Sequence, residues 1–521
     1  MPLAAQALLP LAALLAAAGF VRWRPRRRVN GWIASGATGI AGIIALIELL
    51  RLAPGEHVDV PYLTTFPYAD LAVRLDGLSL AFAATTLITA AALMLTRQQV
   101  RGDRRDPWFG WLLTSAAACA VILADNLLLV FIALQLLTLA WSGALDETAR
   151  RRRGLRLSVQ IADIGLLLAA ASAIQSVGTS AFSGVPSDTF GLATFLLVLL
   201  PVVVRVAALA WVSSGPQAAV TFEPSIAWVA PAGYLLLRLL ALMGGRLPDR
   251  ATAVALFGGG VLLAIGFATL ALGRPAGLRL AAPLLAAQAA IAVALSAGSE
   301  PLMTAASTWL WLLLIPLAGL VSVRVVAGSL AETLTLLNLA MIPGAIGFLG
   351  LWLGGLALAA TGLLFGMIPL VLAVILLAVT ALSRAAVIRS IHVDPASIWA
   401  SVLLLVAAFP IVAMNPIVLP AAATVRLVPR GTISASPLGI GTSFGAWPAL
   451  LVSVAVAALL GIAGWRLGDR LPLRRARGRI VRWPTGWPSR WPVRPPAVPT
   501  WSRFLLGAAF LVAVVLAMAR P

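Results

Sequence analysis

Residues 190–212 read FGLATFLLVLLPVVVRVAALAWV. The run holds one ionisable side chain, Arg205, and one helix breaker, Pro201. A hydrocarbon core about 30 Å thick takes about 20 apolar residues of helix to cross, so this stretch is a membrane span. An amphipathic helix of a soluble protein keeps a charged face, and none is present here. Outward from this point the same pattern recurs, for example over 108–123, 126–144, 156–176, 226–244, 252–272, 303–325 and 333–352, and sixteen spans are expected between residues 3 and 519. The first apolar run, 3–21, carries no evident cleavage signal and reads as a retained span.

Composition leads to the same fold class. Of 521 residues, 61% are apolar and 11% are charged, against about 25% charged in soluble chains. A soluble enzyme is excluded. A transmembrane barrel would show alternating segments of about ten residues, and these are absent. The expected fold is all-α, a polytopic membrane helix bundle.

The net charge is +20, and all 38 basic residues are arginine. Arginine keeps its proton at any usable pH, whereas a buried lysine can release it, so no lysine proton shuttle exists in this chain. The arginines gather in alternate loops: Arg22 to Arg28 after the first span, Arg101 to Arg105 after the third, Arg150 to Arg156 after the fifth. Arg384 and Arg389 follow the thirteenth and a further run from Arg466 to Arg479 follows the fifteenth. By the positive-inside rule these loops are cytoplasmic. Both termini are then expected outside a bacterial cytoplasmic (inner) membrane. The basic balance reads as orientation in a lipid bilayer, with no nucleic-acid binding. One cysteine, Cys119, and two distant histidines, His57 and His392, provide no metal site and no disulfide framework. No nucleotide, flavin or iron–sulfur motif occurs, so no cofactor and no redox catalysis are expected of the chain alone.

Two spans carry helix-breaking residues: Pro201 with Ser213-Ser214-Gly215-Pro216 in the seventh, and Pro343-Gly344 in the twelfth. Counted from the starts of the fourth and ninth spans, the two prolines stand at nearly equal offsets. This suggests two inverted five-helix repeats with discontinuous helices, the arrangement that points to a transport pathway. The domain organisation follows: spans one to three in 1–107, a first repeat in 108–244, an inverted second repeat in 252–383, then spans and loops in 384–465. An Arg/Trp/Pro-rich interfacial strap is expected in 466–503, before a final span in 504–521.

Several stretches resemble one family. They are Val73-Arg74-Leu75-Asp76-Gly77-Leu78-Ser79-Leu80; Asp125 to Phe131 with Thr138-Leu139; Leu278-Arg279 with Ala282 and Gln288; Leu339 to Pro343 with Gly347-Phe348; and Val379 to Ala381 with Arg384. In order and spacing they resemble the antiporter-like, proton-translocating membrane subunits of respiratory complex I (NADH-quinone oxidoreductase) and of multisubunit cation/proton antiporters. The likeness covers roughly residues 73–392 and implies a subunit that works among other membrane subunits of a hetero-oligomeric complex. It also implies a buried axis of a glutamate and three lysines. At those positions this chain has Gln135, Arg205, Trp311 and Leu351, and Ser225 and Ser307 stand near the places of two family histidines. The titratable axis is missing its chemistry.

Ionisable groups inside spans are costly and serve as functional candidates by default. Asp163 and Arg205 can pair across helices, with Arg238 as another partner. The pair is either a half-retained ion path or a structural lock. Glu223 either gates an entry or faces water. Gln135, Gln160 and Gln288 suit a water file or interhelical hydrogen bonds, and His392 either relays protons or sits at the interface. Two functions follow: proton or cation translocation with altered chemistry, or a scaffold in which pumping is lost. The alternative from another class is a polytopic transferase with a lipid-linked donor, for which Glu56, Asp59 and Asp70 lie in an outer loop.

Overall fold

The computed structural model describes residues 3–23, 27–63, 71–98, 107–143, 149–187, 189–212, 223–272, 278–323, 330–361, 364–385, 395–429 and 431–456. The chain divides into two compact units, Met1–Ser453 and Val454–Pro521. Of the second unit, residues 454–456 are described. His392, Asp70, the strap at 466–503 and the expected final span lie outside the described residues.

α1 (Leu3–Trp23) and α2 (Arg27–Arg51) lead into an antiparallel hairpin of β1 (His57–Leu63) and β2 (Leu71–Asp76), and α3 (Gly77–Gln98) starts where the hairpin ends. Next come α4 (Trp108–Leu123), α5 (Leu127–Gly143), α6 (Ala149–Val177) and α7 (Leu192–Val212). A π-helical turn, Glu223–Val229, opens α8 (Ala230–Leu242). It is followed by α9 (Arg250–Leu272), α10 (Leu278–Leu295), α11 (Pro301–Ser322), α12 (Leu330–Leu339), α13 (Phe348–Ala360), α14 (Leu364–Ala385) and α15 (Pro395–Ala408). α16 (Ile411–Val425) holds a second π-helical turn, Met414–Val418. Three short antiparallel strands follow: β3 (Ile433–Ser436), β4 (Gly439–Thr442) and β5 (Gly445–Trp447). The fold is predominantly helical, as expected, with these two small sheets as additions that the sequence reading does not include. Their strands lie in connections, where the backbone must pair with itself once it leaves the helix.

The protein is a multi-pass helical membrane protein. Among the described residues seven helices are long and apolar enough to cross a bilayer, and an eighth is gained if α15 and α16 count as one bent span. Further apolar helices of 10–17 residues accompany them. Of these seven, α8, α11 and α3 are the most enclosed and α9 the least, and the shorter α10 is buried throughout Leu280–Leu295. The innermost helices carry the large buried rings Trp228, Trp309, Trp311, Tyr234 and Phe82. The lipid-facing surface is aliphatic, with Ile368, Val371, Leu372 and Ile375 on α14 and Val254 and Leu262 on α9 exposed.

The breaks fall only partly where the sequence suggests. Between α12 and α13 the chain leaves the helix over residues 340–347, with Met341 at φ +49° and Gly344 at φ +87°. Left-handed backbone is strained at Met341 and free of Cβ clash at Gly344. In the seventh span there is no break at Pro201, where α7 runs as one helix, and Ser213-Ser214-Gly215-Pro216 lie outside the described residues. Proline's fixed φ suits a helix, and its damage is a lost hydrogen bond at the carbonyl four residues earlier. That carbonyl, on Leu197, is approached so closely by Gly165 of α6 that no Cβ would fit. Arg205 Nη1 donates to the Pro201 carbonyl at 3.2 Å, which holds the following turn. The equal-offset comparison of Pro201 with Pro343 therefore loses one of its two breaks. A different span is broken: α15 and α16 meet at 93°, at Phe409-Pro410.

Candidate functional site: two buried ion-pair clusters

The first cluster joins α6 to α7. Arg205 Nη1 donates to Asp163 Oδ1 at 2.6 Å and Nη2 to Oδ2 at 3.0 Å. The side chains are 1% and 0% exposed. This fork-to-fork geometry matches a planar guanidinium to a carboxylate through two parallel bonds. Two full charges in an apolar bundle are tolerable only when so paired. The contact is possible because α6 and α7 approach closely at Gly165, two residues beyond Asp163. Arg205 Nε has no hydrogen-bond partner among the described residues.

The other axis positions are enclosed but chemically silent. Trp311 on α11 is fully buried. Its ring lies against Gly233 of α8, where an added Cβ would stand 2.7 Å from it, and its indole N–H has no partner among the described residues. Leu351 on α13 is buried and Gln135 on α5 is half-buried. Ser225 is buried, its hydroxyl without a partner among the described residues, and Ser307 bonds Ser296 at 2.6 Å. Glu223 lies in the π-helical turn before α8. Indoles, hydroxyls, amides and a methyl-bearing side chain orient water or fill space, but none exchanges a proton at neutral pH.

Gln288 of α10 has a clear structural task. Its amide nitrogen donates to the carbonyls of Asn338 and Leu339, at 3.2 and 3.0 Å. These belong to the last turn of α12, whose carbonyls lose their helical partners at the break. Trp309 Nε1 donates to the Ile346 carbonyl at 2.9 Å, on the other side of the same break. Asn338 donates to the Ala400 carbonyl of α15 at 3.2 Å. The discontinuity is thus held by side chains from three helices.

The second cluster corrects an expectation. Arg238 of α8 pairs with Asp76, at the end of β2, and not with Asp163. Its Nη1 and Nη2 donate to Oδ2 and Oδ1 at 2.6 and 3.0 Å, and its Nε to the Tyr234 hydroxyl at 3.2 Å. Arg74 Nε donates to Asp76 Oδ2 at 3.0 Å. Arg74 Nη1 lies 3.5 Å from Asp59 and 3.7 Å from Asp125. Burial alone would raise the Asp76 carboxyl, but Arg238, Ser79 and Arg74 outweigh it and hold the group at about 2. The Asp125 carboxyl is pushed up to about 6 by burial and then by Asp59, with Arg74 and Arg238 opposing. The residues quoted for the family likeness, 73–80 and 125–131, thus meet in space through Asp76, Arg74 and Asp125. In this cluster Asp59 is engaged by Arg74, and Glu56 accepts from the backbone of Ala53 at 3.0 Å. Of the three loop carboxylates invoked for a transferase, Asp59 lies in the Arg74 cluster, Glu56 accepts from the turn before the hairpin, and Asp70 lies outside the described residues. No group of His, Cys, Asp and Glu able to hold a metal ion occurs among the described residues.

No protein-family model matches the sequence, and no curated protein matches it. Solved structures do share the fold. A chain of the Mrp complex from Dietzia sp. DQ12-45-1b superposes at TM-score 0.68 with 19% identity over 99% of this chain. This chain spans about 60% of that chain's length. A chain of an archaeal respiratory membrane complex, the membrane-bound sulfane sulfur reductase, gives TM-score 0.71 and 17% identity, over 89% of this chain and 85% of the other. A chain of respiratory complex I from Thermus thermophilus gives 0.62 and 18%, over 82% and 99%. The architecture is the one found in chains of these membrane complexes.

Proposed function

We propose that this chain is an antiporter-like membrane subunit of a hetero-oligomeric assembly, in a form that keeps the bundle and no longer relays protons along a Glu/Lys axis. The observation that carries the reading is the bidentate Arg205–Asp163 pair. At the place where the resemblance implies a proton-exchanging lysine, a guanidinium is clamped to its own carboxylate with both groups out of water. Trp311 and Leu351 fill two further places with groups that hold no proton. The chain then contributes shape and charge to its complex, and any redox chemistry belongs to other subunits. The three structural neighbours are chains of multi-subunit membrane complexes, which supports other membrane subunits as partners. The alternating arginine loops support a cytoplasmic membrane with both termini outside.

A tagged full chain expressed in its native host and extracted in mild detergent is expected to purify with other polytopic subunits at fixed stoichiometry. Elution as a monomer, with no stoichiometric membrane partner after extraction from native membranes, would contradict the reading.

A further inference from the structure

Among the described residues, the cluster at the hairpin end holds three aspartates, Asp59, Asp76 and Asp125, against two arginines, Arg74 and Arg238, one acid in excess. Asp76 is fully engaged by Arg238 and Arg74, which leaves Asp59 and Asp125 to share a single nitrogen, Arg74 Nη1. At 3.5 and 3.7 Å both contacts are too long for good hydrogen bonds. Asp59 Oδ1, Asp125 Oδ1 and Arg74 Nη1 are all buried without hydrogen-bond partners among the described residues. Asp125 is the more enclosed of the two acids, its side chain 5% exposed against 25% for Asp59. His57 stands 3.8 Å from Asp59. From α8 the facing groups are Tyr234 and Arg238, and the described residues of 178–187 carry no charge.

The backbone of Asp125 is also the point where three segments are joined. Its N–H donates to the Ala72 carbonyl of β2 at 3.2 Å, and its carbonyl accepts from Phe182 N–H at 2.7 Å. Leu127 N–H donates to the Ser180 carbonyl at 3.1 Å. Isolated bridges tie Val73 to Ala124 and Asn126 to Ala181. Hairpin, residues 124–126 and residues 180–182 therefore form one cap across the ends of α3, α4, α5 and α6.

We propose that Asp125 is a proton-binding site at this end of the bundle, and that its occupancy tightens the cap. A proton needs no coordination shell, and the arginine beside the site disfavours a metal ion. Protonation turns an unpaired carboxylate oxygen into a donor within a cluster rich in acceptors, and removes the excess charge. The elevated carboxyl of Asp125 agrees with this geometry. The sign follows from linkage. A docked cap with Asp125 near 6 and an undocked one near the ordinary 3.8 differ in protons bound between those values. Acidification from about pH 7.5 to about pH 5 then favours docking about tenfold. The inference stands whether or not the bundle moves protons.

The test is hydrogen–deuterium exchange on the full chain in lipid nanodiscs, corrected for intrinsic rates, over peptides containing Ala72, Asp125 and Phe182. Protection in the wild type is expected to rise about tenfold between those two pH values. Asp125→Asn should be protected already at the higher pH and lose the dependence. Asp59→Asn should move the midpoint to lower pH, and it tests the idea even if the Asp125 variant fails to fold. Flat exchange in the wild type would overturn the proposal, as would an unchanged pH response in Asp125→Asn. Protection induced by sodium at constant pH would also overturn it, in favour of a cation site.

Discussion

Arg205→Ala is expected to destabilise the detergent-solubilised bundle by about 3–5 kcal/mol, because it leaves Asp163 as an uncompensated buried charge. Asp163 is 0% exposed and its oxygens both face the guanidinium. Replacing both partners removes both desolvation penalties, and a buried pair exchanged for apolar residues of similar volume is often neutral or better. Asp163→Leu with Arg205→Met should therefore recover most of the loss. Thermal unfolding of the two variants beside the wild type separates the possibilities. A double variant as unstable as the single one would mean that the pair specifies the helix contact itself. A single variant as stable as the wild type would mean that water reaches the carboxylate.

Asp76→Ala should have an effect of similar size, about 3–5 kcal/mol, for a different structural reason. It strands Arg238 inside α8 and frees Arg74 at once, and so loosens the hairpin from the bundle. It also removes the carboxylate that accepts from Ser79 N–H in the first turn of α3, at 2.8 Å, a capping interaction worth about 1 kcal/mol by itself. Acid should mimic the substitution only under harsh conditions. Because the folded value is depressed to about 2 from an ordinary 3.8, this stabilisation is complete above the ordinary value and is lost as pH falls through the folded one. Limited proteolysis within 57–76 should be fast in the variant and slow in the wild type down to about pH 4. Equal cleavage rates at neutral pH would show that the ion pair does not hold the hairpin.

The contrast between these two pairs shows what could be read without coordinates. Asp163 and Arg205 lie in successive spans, so their proximity follows from connectivity. Asp76 and Arg238 are 162 residues apart, and Asp76 sits at the edge of a span, where it reads as part of a family-like motif and not as a buried charge. Proline alone is a poor signal of a broken helix. Pro201 is absorbed because Gly165 admits the freed carbonyl and Arg205 holds the next turn. At 340–347 the break is real because Met341 and Gly344 both adopt positive φ. The bend at Phe409-Pro410 has a signal in the sequence that the reading of spans above does not use, since Pro410, Pro416 and Pro420 crowd one apolar stretch. The apolar spans themselves were legible because lipid forces every backbone group into a helix or a closed barrel.

On the function proposed above, the bundle keeps an antiporter-like frame while Gln135, Arg205, Trp311 and Leu351 exchange no protons. The direct measurement is proton flux across liposomes holding the purified full chain, with an imposed pH gradient read by an internal dye. The gradient is expected to decay no faster than in empty liposomes, with or without sodium or potassium present. Rapid decay that Arg205→Ala abolishes, in protein shown by spectroscopy to remain folded, would contradict it.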